Sequence, residues 1–151
     1  MPEQSLLTDD VRALVGATSE PVEVEVTLLA VERAIEVYGG RPRSFAAGDP
    51  VPGYVTSALA SVAKGVELPT LLPRNILISN ELAFERPLRL GERLSVRERI
   101  ADISERFGGQ FGYGIYIRSE TEFLDASGEV VARTARTMMQ YDADEKRGGE
   151  A

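Results

Sequence analysis

Val55, Ala58, Leu59, Val62, Ala63 and Val66 recur at offsets i, i+3, i+4, i+7, i+8 and i+11. That spacing places all six on one continuous helical face. The positions between them are small, Thr56, Ser57, Ala60 and Ser61, and Lys64 is the only charge before Glu67. A helix so poor in charge has little to offer water, so the rest of the chain must wrap it. After Pro69 and Pro73 the period changes from helical to alternating. Ile76, Ile78, Leu82 and Phe84 lead to Pro87, and Leu94, Val96 and Ile100 alternate with Ser95, Arg97 and Arg99. Phe111, Tyr113, Ile115 and Ile117 share one face up to Phe123, and Val130 to Tyr141 closes the series. Turn chemistry separates these runs at Leu90-Gly91-Glu92, Phe107-Gly108-Gly109 and Asp125-Ala126-Ser127-Gly128, which predicts about four antiparallel strands.

Upstream, Thr8 caps a short helix whose first turn carries Asp9 and Asp10, with Val11, Leu14 and Val15 on its apolar edge and Gly16 as its stop. Val22, Val24 and Val26 alternate with Glu23 and Glu25 as a half-buried strand. Thr27 then caps a helix with the face Val31, Ala34, Ile35 and Tyr38, broken by Gly39-Gly40. Residues 39 to 53 are rich in glycine and proline and read as loop. The expectation is one α+β domain over residues 1–141, a curved antiparallel sheet wrapped around a long central helix at 55–66. Such a sheet has an open edge, which a second copy or a paralogue commonly closes. Residues 142–151 are charged and glycine-containing and are expected to be a flexible tail.

Composition limits the chemistry. The 151 residues carry a formal charge of −7, which argues against a nucleic-acid partner, since that surface needs lysine and arginine. No run approaches the roughly 20 apolar residues of a membrane span. Met1-Pro2-Glu3-Gln4-Ser5 is not basic and no apolar run with a cleavage site follows, so a cytoplasmic protein is expected. There is no cysteine and no histidine. Disulfides, thiolate nucleophiles and zinc–thiolate sites are excluded, and the usual general base and commonest metal ligand are missing. Neither a cofactor nor a metal is expected. Any catalysis must use carboxylates, tyrosine, lysine, hydroxyls or backbone dipoles.

The segment Leu82-Ala83-Phe84-Glu85-Arg86-Pro87-Leu88-Arg89-Leu90-Gly91-Glu92-Arg93-Leu94 resembles the strand–turn–strand "F-x-x-P-x-x-x-G-D-x-L" of the MaoC-like hydratases and dehydratases. Leu7-Thr8 to Gly16-Ala17-Thr18-Ser19-Glu20-Pro21 is similar to the N-terminal subgroup of two-part dehydratases, and Gly128-Glu129-Val130-Val131-Ala132 also fits. The resemblance spans roughly residues 5 to 141 and implies a hotdog fold. It implies an activity too: addition or removal of water across the α,β-double bond of acyl thioesters on coenzyme A or a carrier protein.

That family's Asp-x-Asn-Pro-x-His signature falls on Gly39-Gly40-Arg41-Pro42-Arg43-Ser44. Pro42 matches, while Gly39, Arg41 and Ser44 stand at the Asp, Asn and His places. The family's "His-Gly-Met" lead-in to the central helix matches Pro52-Gly53-Tyr54. The resemblance implies that the Gly53 N–H faces the thioester carbonyl as an oxyanion donor at a helix start. It also implies that Ser61, eight residues later, lines the site. Asp49, before Pro50, and Tyr54 are the candidate proton carriers beside Gly53, and Arg41 and Arg43 are candidate contacts for a phosphate or carboxylate. Each residue also has a plainer role, as turn, packing or solvated loop. Two readings follow: a hydratase/dehydratase with a non-standard or lost dyad, or a non-catalytic partner subunit, homo- or heterodimeric, beside an Asp/His-bearing hotdog. A thioesterase ranks last, because residues 55–66 hold no acid. In both leading readings the charge-poor helix roofs a dry slot for an acyl tail.

Overall fold

The last three strands pair as consecutive hairpins, the strand before them crosses over to pair with the last one, and one short strand from the N-terminal half completes the sheet. The computed structural model describes residues 4–41 and 43–143. Its elements are α1 (Asp9–Arg12), β1 (Val22–Glu25), α2 (Leu28–Tyr38), α3 (Val55–Ala60), β2 (Arg74–Phe84), β3 (Arg93–Gly109), β4 (Gly112–Leu124) and β5 (Val130–Tyr141). The sheet runs β1-β3-β4-β5-β2, with every neighbouring pair antiparallel. Residues 1–3, on which part of the leader argument rests, Pro42 of the signature, and the expected tail from 144 onward lie outside the described residues.

The local signals perform as their chemistry requires. Thr8 Oγ1 accepts the Val11 N–H at 3.3 Å and Thr27 Oγ1 accepts the Ala30 N–H at 3.1 Å, each satisfying an orphan donor of a first helical turn. Gly39 ends α2 in the left-handed region, φ 81°, where a Cβ would be penalised. Asp125 Oδ1 accepts from Ser127 N, Ser127 Oγ and Glu129 N, which closes the β4–β5 turn. The Ser127 hydroxyl is the main cause of a lowered Asp125 pKa.

Two expectations are corrected. The helix predicted over 55–66 spans only Val55–Ala60. Its lead-in bonds are of the tighter i→i+3 kind, from Val55 N to Pro52 O, Thr56 N to Gly53 O and Ser57 N to Tyr54 O, and no side chain caps it. At the far end the Ser61 hydroxyl bonds back to Ala58 O at 2.7 Å, a local competitor of helical propagation. Val62, predicted as core, is 46% exposed, and the chain from Lys64 to β2 forms no helix. The second correction concerns the Phe107-Gly108-Gly109 turn. β3 continues to Gly109, and the hairpin turns at Gln110-Phe111 between Gly108 and Gly112, both at positive φ.

The inner face of the sheet carries two apolar clusters. One gathers Val26, Val31, Ile35, Val55, Leu59, Leu94, Val96 and Phe123 under α2 and α3. The other gathers Leu7, Val11, Leu72, Ile100, Ile103, Tyr113, Ile115 and Ile117 under α1 and the 66–72 segment. The buried Tyr113 hydroxyl donates to Glu105 and accepts the Leu6 N–H at 3.1 Å, which ties the N-terminal segment to the sheet. Burial, followed by that carboxylate, raises the Tyr113 pKa.

Candidate functional site

Between the two clusters the inner face of the sheet is polar. Glu98 pairs across the ladder with Thr121, Thr121 with Thr134, and Thr134 with Leu82. One step along, Ser119 pairs with Arg136, and Arg136 with Asn80. These residues floor a cavity of about 640 Å³ roofed by Ser57, Ala60, Ser61 and Ala63 from α3 and the turn after it. A dry slot was expected here. Its floor instead holds a carboxylate, a guanidinium, an amide and three hydroxyls. The physical reason is alternation: each of those side chains is in phase with the inward set of its strand.

Glu98 is the unusual member. It is 8% exposed, and its carboxylate has no hydrogen-bond or ion-pair partner among the described residues. Its backbone is fully engaged: Ser19 Oγ accepts the Glu98 N–H, and Glu98 O accepts the Ser19 N–H. The backbone at this position is therefore fixed on both sides. Gly65 passes close by, with Glu98 Oε2 3.6 Å from where a Cβ on that glycine would sit. The outer face differs. There Glu122, also buried, is clasped by Arg97 at 2.9 Å and Arg133 at 3.5 Å, and Arg118 reaches Glu81 and Glu120.

Of the six residues read from the sequence, Ser61 lines this cavity, and its hydroxyl is committed to Ala58 O. Gly53 does not line it. The Gly53 carbonyl accepts the Thr56 N–H at 3.1 Å and the Thr56 hydroxyl at 2.8 Å, while its N–H has no acceptor among the described residues. The ring edge of Phe84, next along from Leu82 on β2, lies 2.9 Å from where a Gly53 Cβ would stand. Asp49 Oδ2 accepts the Ala46 N–H at 2.8 Å and clasps a turn. Tyr54 packs on Tyr38 with ring centroids 5.2 Å apart, its hydroxyl against Gly40. Arg43 lies over the Phe45 ring at 4.3 Å and donates to Pro50 O at 3.3 Å, and it borders a separate cavity beside Glu32 and Glu36. Arg41 is exposed. The structure does not bring the six together.

Sequence reasoning missed Glu98, Thr121, Thr134 and Arg136. The signal for the first was present: Glu98 sits in phase with Leu94, Val96 and Ile100, an acid on the apolar side of an alternating strand. Among the described residues no group of three or more acids is placed to hold a metal ion, and no helix is long and apolar enough to cross a membrane.

The family model described as "FAS1-like, dehydratase domain region" matches residues 13–134. No curated protein matches the chain. Among solved structures, the MaoC-like dehydratase from Rhodospirillum rubrum is 20% identical over 84% of this chain and 92% of its own, with a TM-score of 0.58. The ChsH1-ChsH2 complex from Mycobacterium tuberculosis is 15% identical over 88% of this chain and 92% of the matched chain, TM-score 0.58. The HadBC (3R-hydroxyacyl-ACP dehydratase) complex from the same organism is 18% identical over 89% and 99%, TM-score 0.53. The fold is the hotdog fold of these proteins, as the sequence resemblance implied.

Proposed function

The chain belongs to the FAS1-like dehydratase domain region family, and on that footing we propose that it is the histidine-free half of a paired hotdog hydratase/dehydratase acting on acyl thioesters. In that reaction water adds across the α,β-double bond, hydroxyl to Cβ and proton to Cα, with transient negative charge on the thioester oxygen. Two groups must be supplied: a proton carrier and an oxyanion donor. This chain retains a free backbone donor at Gly53. Its two candidate proton carriers are occupied, Asp49 in a turn and Tyr54 in an aromatic pair, and no histidine exists to replace them. That distribution is the observation that carries the reading.

A partner also suits the edge strand. β2 leaves one ladder side unpaired, and Ile76, Leu77, Ile78, Leu82 and Phe84 are exposed along it, the profile of an edge that another chain covers. The HadBC and ChsH1-ChsH2 structures are complexes. The partner in this reading is a hotdog subunit carrying the Asp/His motif.

The test is hydration of crotonyl-CoA and longer enoyl-CoAs by the purified chain, alone and mixed with an Asp/His-bearing hotdog encoded beside it. Inactivity alone, with turnover and a stable complex on mixing, is the expected result. Turnover by the chain alone that Asp49→Asn abolishes would instead make it a self-sufficient enzyme. Thioester cleavage would overturn both.

A further inference from the structure

We infer that the cavity under α3 binds a small zwitterion, with an ammonium group on Glu98 at its deep end and a carboxylate on Arg136 at its mouth. The inference is independent of the acyl-thioester reading, because Gly53, Asp49 and Tyr54 do not line this cavity. Exposure falls across its floor from one side of the sheet to the other. Leu77, Asn80 and Leu82 on the edge strand β2 are exposed, as is Arg136 on β5. Thr134 and Thr121 are half-buried, and Ser119 on β4 and Glu98 on β3 are 6% and 8% exposed. The cavity therefore opens over β2 and β5 and closes over β3 and β4, with a cation at the open side and an anion at the closed side.

Neither charge is answered by the described residues: the Glu98 carboxylate and the Arg136 guanidinium have no side-chain partner among them. The cations that flank Glu98 are spent elsewhere, Lys64 on Glu20 at 3.8 Å, Arg97 on Glu122 at 2.9 Å and Arg99 on Glu120 at 3.4 Å. A carboxylate taken out of water needs a counter-charge, because a neutral donor leaves most of the desolvation cost of the ion unrecovered. The buried glutamate of the outer face, Glu122, has two such partners in Arg97 and Arg133. Glu98 instead faces Gly65, with Oε2 3.6 Å from where a Cβ at that glycine would stand. The space that a basic side chain would occupy is left to a ligand. An ammonium group brings three donors, which the Glu98 carboxylate and the Thr121 hydroxyl beside it can accept. Glu98 and Arg136 lie two strands and one inward position apart, so their Cα atoms are about 12 Å from each other. That spacing suits charges separated by several methylenes rather than those of an α-amino acid.

The experiment titrates the full chain with 6-aminohexanoate, hexylammonium and hexanoate, three probes of one chain length, and reads binding from backbone NMR shifts. The zwitterion is expected to bind most tightly and hexylammonium next. Hexanoate should bind about tenfold more weakly than the zwitterion, the effect of one hydrogen bond to a charged acceptor. Shifts should centre on Glu98, Ser119 and Thr121. Glu98→Gln keeps the shape and removes the charge, so both amines should lose about tenfold in affinity while hexanoate is unchanged. Arg136→Gln should bring the zwitterion down to the level of hexylammonium. If Glu98→Gln does not fold, the order of the three probes on the parent chain and the location of the shifts carry the test. Hexanoate bound as tightly as either amine, amine affinities unchanged in Glu98→Gln, or shifts confined to residues outside the cavity would each overturn the site. So would the absence of binding by all three probes.

Discussion

At the residue scale, the charged side chains divide by what neutralises them. Arg86 and Glu92 form a two-pronged pair at the β2–β3 connection, with Glu92 also accepting the Arg89 N–H at 3.2 Å. The Arg86 bond is the main reason the Glu92 pKa lies below its ordinary value. A lowered carboxylate pKa stabilises the fold above the ordinary glutamate range and ceases to do so as pH falls through the folded value. Arg86 is more than one-third exposed, so the pair is worth about 1 kcal/mol rather than more. Arg86→Met should therefore lower unfolding free energy by about 1 kcal/mol at neutral pH, and the difference should vanish in strong acid. Urea titrations of both proteins at the two pH values check this. Glu98 has no such clasp among the described residues.

At the scale of elements, β2 is the strand that leaves a row of apolar side chains uncovered. Eleven residues long, it is exposed at nearly every position and presents apolar side chains to both faces. Lysine on an open edge opposes strand addition, because its charge resists burial between paired sheets. Ile78→Lys should thus disrupt assembly while changing the stability of the separate chain by no more than about 0.5 kcal/mol. Light scattering reads the mass and thermal unfolding reads the stability; an unchanged assembly would place the interface elsewhere. The α3 element shows the opposite lesson. Its sequence face is continuous from Val55 to Val66, yet only its first half is helical, because an uncapped six-residue helix depends on packing and its last turn has little to pack on.

At the scale of the whole molecule, two apolar clusters flank a polar cavity, and the long strands β3 and β4 pass through all three. That continuity makes the clusters one cooperative unit despite the polar gap between them. Leu59→Ala in one cluster and Ile115→Ala in the other should each cost about 2–4 kcal/mol, with a single unfolding transition in every variant. The double variant should be additive within about 0.5 kcal/mol, because the two sites share no contacts. Non-coincident fluorescence and circular-dichroism transitions would show two independent units.

Strand alternation, the Thr8 and Thr27 caps, the Gly39 stop and the Asp125 turn were legible along the chain, because each depends on neighbours within a few residues. So was the absence of a histidine base, which needs no structure at all. The family resemblance supplied the fold, but the site residues it implied proved scattered, since a matched position carries no information about which way its side chain is spent. Asp49 and Tyr54 were drawn into a turn and a ring pair by partners outside their own motif. Glu98 could be noticed as an acid in phase with the apolar side of its strand. Only the folded sheet determined that it meets Thr121, Thr134 and a cavity rather than the clasp of an arginine, because strand register and packing join residues far apart in sequence.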